Sequence, residues 1–499
     1  MSRSKAAANF VLSSFVVQIL IVVSGLIVPP LMIKEYGSEV NGIVNTIKQL
    51  LTYFSVVSLG FGITAQVSLY KPLSDNNWYK INGILSATSR FFNRTGFVFL
   101  GIIIISAVLF PLVSKTDTSN EVLFLLVIIY GIGAMSEFIF ISKYKILLAA
   151  DQKQHILSKI QSQGLLVNTL ISVVLILCHS SLLLVQLMAT LTYLLRLLLT
   201  IRYVKKKYAA LDFKVTPNNQ ALNGKWTAFS YQIAVMINTY TPIIIVAFFC
   251  GFKNASVFSI YNMIFFSLTM ITAIFSSGFS ASFGNMMAKK EVLVLAKTFA
   301  SFEFIFRNIM FVVYTIALIL VIPFMRIYIK SNDGVTYVLP YLAIAFVLHG
   351  IIKGMRVPFV TLVEAAGMFK QNNLLNIAEA LLNVAISVVL VNSYGLMGVL
   401  IGGVISAMLR SLLYVFFTQK HILFKIDFKY YLKYLFNLFL VFALYYFFHG
   451  ANIHSVLAFI VFGIKVAFTV LSTFVLANAL IDFSLLKETT FRIKNILTK

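Results

Sequence analysis

Charge is scarce in these 499 residues. Asp, Glu, Lys and Arg together make up 11% of the chain, against roughly 25% in an ordinary soluble domain. That scarcity excludes a string of soluble domains, because a soluble protein this apolar would expose large patches and aggregate. Acid is scarcer still: 16 Asp and Glu stand against 40 Lys and Arg, a net charge of +24. Cysteine is nearly absent. Cys178 and Cys250 fall near the expected outer ends of helices. Thiols in such places are most often apolar filler, and spacing alone cannot establish the proximity a disulfide needs. The six histidines are scattered. There is no His-Glu-x-x-His, no Asp-x-Asp pair and no Gly-x-x-x-x-Gly-Lys-Ser/Thr loop. These absences argue against metal-assisted chemistry, sugar-nucleotide transfer and nucleotide hydrolysis. No enzyme chemistry, metal or cofactor is expected.

What the chain has is apolar runs, with 60% of its residues hydrophobic. A membrane helix needs roughly 20 mostly apolar residues. Such runs lie near 10–33, 42–68, 91–112, 121–142, 160–178, 181–203, 227–250, 256–284, 304–325, 336–357, 374–392, 396–418, 430–449 and 453–480. The expectation is an all-α integral membrane protein of about 14 transmembrane helices. The first run follows the basic stretch Met1 to Lys5 and continues through Pro29-Pro30. It is longer than the apolar core of a cleaved signal peptide, so it reads as a retained helix.

The basic residues test that count. With the gaps assigned alternately to the two sides, 32 of the 40 Lys and Arg fall inside and 5 outside. Lys48, Arg196 and Lys465 lie within helices. One helix more or fewer would destroy this asymmetry, so the positive-inside rule places both termini in the cytoplasm. It also accounts for the net charge without a nucleic-acid partner, since no basic face on a folded domain exists.

The chain repeats itself. Asn168 and Asn383 begin similar segments 215 residues apart. Leu195-Arg196 matches Leu409-Arg410, Ala149-Ala150 matches Ala365-Ala366, Arg94 matches Arg307, Pro30 matches Pro242 and Gly60-Phe61 matches Gly278-Phe279. All six offsets fall within 212–218. The expected architecture is two parallel six-helix repeats plus two C-terminal helices: lobes at 1–203 and 227–418, a cytoplasmic linker at 204–226, and two extra helices with a tail at 419–499. Two such lobes leave a cavity between them and support alternating access.

Ionisable groups within the membrane are costly and tend to face a cavity or a partner. Lys48, Arg94 and Arg307 are therefore cavity candidates. Gln18, Gln232 and Asn238 join them, because their helices open the two halves. Arg90, Arg196 and Arg410 are close enough to the inner interface to snorkel to lipid phosphates. Lys465 could pair within the extra helices. Gln161, Asn168 and Ser172 form a polar stripe on helix 5. Asn376, Asn383 and Ser387 repeat it on helix 11, with Glu379 added. Such stripes either line a cavity or bond between helices. Glu137, near the inner end of helix 4, is expected to pair with a nearby lysine.

Pro29-Pro30, Tyr36-Gly37, Asn41-Gly42 and Leu59-Gly60-Phe61-Gly62 are followed by the run to Tyr70. With these residues the pattern resembles the multidrug/oligosaccharidyl-lipid/polysaccharide (MOP) exporter superfamily, and within it the Wzx-type polysaccharide repeat-unit flippases. The resemblance implies a bacterial cytoplasmic-membrane flippase that moves undecaprenyl-diphosphate-linked oligosaccharide outward through a cationic cavity. Its implied partners are that lipid-linked substrate, membrane lipids, and a polysaccharide polymerase and glycosyltransferases. Coupling to Na+ or H+ is left open. A cation-coupled multidrug exporter often carries an acid in helix 1, and here there is none. A lipid II flippase shares the fold, but a matching arginine set in helices 1, 2 and 8 is missing. A membrane polysaccharide polymerase would need a large outer loop, and the outer gaps are short.

Overall fold

The computed structural model describes residues 3–222, 225–329, 333–424, 426–451, 453–483 and 485–487. The described chain is α-helical, and no strand occurs among its residues. The helices are α1 (Arg3–Ser74), α2 (Trp78–Val113), α3 (Asn120–Ser136), α4 (Ser142–Ala150), α5 (Gln154–Leu177), α6 (Leu182–Lys207), α7 (Lys225–Cys250) and α8 (Phe252–Ala288). They continue with α9 (Val292–Tyr328), α10 (Pro340–Ala365), α11 (Phe369–Tyr394), α12 (Leu396–His421), α13 (Phe428–Phe448) and α14 (Val456–Ile481).

Twelve described stretches are long and apolar enough to cross a membrane. The second arm of α1 and the helix α8 cover the two further runs read from the sequence. The protein is a multi-pass membrane protein of the expected class. Its helices expose large apolar side chains such as Leu170, Leu198, Phe439 and Leu480. That surface suits hydrocarbon rather than water. Cys178 and Cys250 are both free thiols.

Helix α1 holds two expected spans with no loop between them. Its path breaks at Gly37, where φ is 87° and ψ 164°. Glycine adopts that conformation without the steric penalty of a Cβ. Five residues on, a Cβ at Gly42 would stand 1.8 Å from the Phe252 carbonyl oxygen. The backbones touch there, and α1 runs along α5 and α7. The fourth expected span extends past its apolar run. It comprises α3, a π-helical turn (Glu137–Ile141) and α4.

The helices form two compact units, one of Met1–Ser259 with Ser331–Val335, the other of Ile260–Lys330 with Thr336–Lys499. In the first unit, Leu69, Ile81, Leu85, Phe92, Leu147 and Leu148 form a buried core. The stretch after α6 is fastened across this unit. Asn82 Nδ2 donates to the Ala210 carbonyl at 2.9 Å, Ser86 Oγ donates to those of Phe213 and Val215, and Asn218 N donates to that of Gly83. In the second unit, α10 packs on α12 and α11 on α12, while α13 and α14 lie against α9. Phe311 of α9 meets Tyr434 and Phe474 across that last contact.

Candidate functional site

The first unit contains a cavity of about 810 Å³. Lys48, Thr52 and Gln66 line it from the second arm of α1, Tyr130 and Glu137 from α3 and its π turn, and Lys145 from α4. Gln154, Ser158 and Gln161 project from α5, and Tyr193 from α6. The wall therefore offers amides, hydroxyls, two phenol rings and charge of both signs.

Lys48 is the exceptional group. Its side chain is exposed to this space although its helix is embedded in others. It forms no salt bridge among the described residues; its ammonium lies 5.4 Å from the centre of the Tyr130 ring. A cation over an aromatic face gains roughly 0.5–2 kcal/mol. A charge in hydrocarbon costs roughly 2.5–3.5 kcal/mol on insertion scales. The ring offsets part of that cost, and the rest must come from water or an anion in the cavity. The Tyr130 hydroxyl donates to Gln186 Oε1, which fixes the ring.

Glu137 forms the second charged feature of the wall. Its carboxylate pairs with Lys145, and Arg196 Nη2 stands 3.6 Å away. The expected lysine pairing is present, with an arginine added. The guanidinium of Arg196 also lies 5.2 Å from the Tyr193 ring centre. The π turn matters here because one extra residue per turn rotates the following side chains, and such turns are frequent at functional sites.

Of the residues singled out from the sequence, Lys48 lines this cavity and Arg196 joins it through Glu137. Gln161 also lines it, whereas its stripe partner Asn168 bonds to the Ala189 carbonyl and Thr192 on α6. Arg90 and Arg94 are exposed on α2. Gln18 and Gln232 are half-buried, and Asn238 is buried in α7. Arg307 is wholly buried in the second unit, bonded to Asp482 at 3.0 Å with Glu303 at 3.6 Å. Arg410 and Glu379 are buried together on α12 and α11. Lys465 is exposed on α14. Lys353 and Arg356, at the inner end of the expected run 336–357, lie inside α10, which continues to Ala365.

Sequence reasoning missed Gln66, Tyr130, Gln154, Ser158 and Tyr193 as wall residues. Tyrosine is too common in this chain to stand out, at 23 residues. The signal available was spacing: Gln154, Ser158 and Gln161 fall at i, i+4 and i+7, one helix face.

No protein-family model matches the chain, and no curated protein matches it. Solved structures do. The lipid II flippase MurJ in an inward closed conformation aligns with a TM-score of 0.74 at 16% identity, over 96% of this chain and 99% of that one. An inward-facing multidrug-resistance MATE family transporter of the MOP superfamily aligns at 0.64 and 13%, over 81% and 94%. A MOP superfamily transporter from Pyrococcus furiosus aligns at 0.56 and 13%, over 84% and 95%. The chain has the MOP-transporter fold. The structures that share this fold are transporters and a flippase, not enzymes. The flippase match leaves only 4% of the chain uncovered, so it takes in most of α13 and α14 as well as the helices before them.

Proposed function

We propose that this protein flips undecaprenyl-diphosphate-linked oligosaccharide repeat units across the bacterial cytoplasmic membrane, by alternating access, for surface polysaccharide synthesis. Both termini face the cytoplasm in this reading. The observation that carries it is the cavity wall of the first unit. Lys48 is a cation without a salt bridge, suited to an anionic group such as a phosphate. Gln66, Gln154, Gln161 and Ser158 supply the amides and hydroxyls that sugar hydroxyls bond to, and Tyr130 and Tyr193 supply ring faces. A multidrug exporter for organic cations would not gain from Lys48.

Deletion of the gene should trap lipid-linked repeat units on the cytoplasmic leaflet. Lys48→Ala should cut polymer export about tenfold at normal protein level, a loss of roughly 1.4 kcal/mol of substrate interaction. Normal surface polymer in the deletion strain would sink the proposal.

A second reading is favoured by one observation: the 0.74 alignment over 96% of the chain is to a lipid II flippase. Lipid II also presents a diphosphate and sugars. Rescue of a strain depleted of its own lipid II flippase would favour this reading; failure of rescue beside restored polymer export would favour the first.

A further inference from the structure

The second unit holds a cluster of charge that the proposed transport cavity does not use. His349, Lys353 and Arg356 stand at i, i+4 and i+7 of α10, one face of the helix. Arg356 grips Glu379 of α11 with two bonds, Nη1 to Oε1 at 2.9 Å and Nη2 to Oε2 at 3.1 Å. Arg410 of α12 donates to the same Glu379 and to Asn376 and Asn372. Glu364, at the end of α10, accepts a bond from Asn372 at 3.4 Å and lies within electrostatic reach of Arg410.

Among the described residues the charges do not balance. Arg356 and Arg410 are matched by Glu379 and Glu364, which leaves Lys353 as one cation in excess. Lys353 lies within electrostatic reach of Glu379, Arg356 and Arg410, yet it forms no salt bridge among the described residues. Two polar atoms of the cluster are also buried without a hydrogen-bond partner, Arg410 Nε and His349 Nε2. Buried charges are ordinarily paired and buried donors bonded. Loss of the Lys353 proton would restore neutrality but would leave Arg410 Nε unpaired, since a guanidinium keeps its protons. One small anion supplies both the missing charge and an acceptor.

We propose that the second unit binds a single small monovalent anion of the chloride class against Lys353, among α10, α11 and α12, with Arg410 and His349 as neighbouring donors. A spherical anion suits this cluster, because the Arg356 fork is already committed to Glu379 and no planar pair of donors remains for a carboxylate. The site is independent of the cargo proposed above.

The experiment uses the purified full-length protein in detergent. Radioactive chloride should be retained at about one per chain, and the thermal midpoint should rise saturably when sodium chloride replaces sodium gluconate at equal ionic strength, as ligand linkage requires. Lys353→Met should lose both responses. Lys48→Ala should keep both. No retained chloride on the wild-type protein, or equal midpoints in the two salts, overturns the proposal. So does loss of binding in Lys48→Ala with retention in Lys353→Met, which would move the anion to the first unit. If Lys353→Met does not fold, the wild-type and Lys48→Ala measurements decide.

Discussion

The side chain of Arg196 crosses directly over Gly164. A Cβ on that glycine would stand 2.5 Å from Arg196 Cγ and 2.6 Å from Cδ. That path carries the guanidinium toward Glu137 on the π turn, 3.6 Å away. At an offset of 215, the position of Gly164 is occupied by Glu379. There Arg410, the repeat mate of Arg196, binds the Glu379 carboxylate directly. Both halves neutralise the same arginine, but with acids from different helices. In the first half the acid stands on the cavity wall; in the second it is sealed between α10, α11 and α12.

Gly164→Ala should therefore displace Arg196 from Glu137 without unfolding the protein, because the obstructing atoms belong to a flexible side chain. Overpacking of this kind costs about 1–3 kcal/mol. The expected outcome is a modest drop in thermal midpoint with a several-fold loss of export. Full export would show that the Arg196–Glu137 pair is dispensable.

Gly42→Ala should be far more damaging. Its Cβ would meet the carbonyl oxygen of Phe252 at 1.8 Å, and backbone cannot step aside as a side chain can. Folded protein recovered after detergent extraction should fall sharply. Gly101→Ala is the control, since a Cβ there meets nothing within 4 Å; equal recovery of the two variants would refute the close approach.

Arg307→Ala should loosen α14 from α9. The change leaves Glu303 buried and Asp482 half-buried, with Lys433 bonded to Asp482 at 2.6 Å as the remaining counter-charge. Removing one member of a buried pair costs roughly 3–5 kcal/mol. Arg307→Met combined with Asp482→Asn should recover part of the loss. Additive losses from the two changes in a double-mutant cycle would mean the pair is not coupled.

Tyr208 should tie the stretch after α6 to the turn after α4. Its hydroxyl donates to Asp151 Oδ2 at 2.6 Å, and Lys153 Nζ donates to it at 3.1 Å. Burial first, and then Asp151, push the hydroxyl above its ordinary pKa of 10.0. The folded state thus favours the protonated phenol. Its contribution is complete below pH 10 and declines as the pH rises beyond that. Tyr208→Phe should cost about 1 kcal/mol near neutrality, the net worth of one hydrogen bond. The deficit should be constant from pH 6 to 9 and shrink above 10. A deficit that varies between pH 6 and 9 would assign it to another group.

The Arg307 case shows where sequence reading stops. Its depth and its repeat mate Arg94 were legible, and both suggested a cavity. Its partner Asp482 lies 175 residues away in chain order, at the C-cap of α14, outside the repeat. Arg94 itself is exposed. Two positions matched in sequence thus have opposite surroundings, because each half packs its corresponding helix against different neighbours. Lys48 was legible for a local reason: it is a lone cation in a long apolar run.

By itself, the sequence determined the helical class, the membrane and the 14 spans, because the cost of placing backbone and charge in hydrocarbon depends on local composition. It also carried the 215-residue echo between the halves. Only the tertiary structure decided which face of each helix looks into a cavity. It also decided that Glu137 and Glu379 serve equivalent arginines from different helices, and that the stretch after α6 is fastened to α2. Those facts depend on how a helix is rotated about its own axis. That rotation is set by the packing of residues far apart in the chain, such as Gly164 under Arg196, and hydropathy carries no record of it.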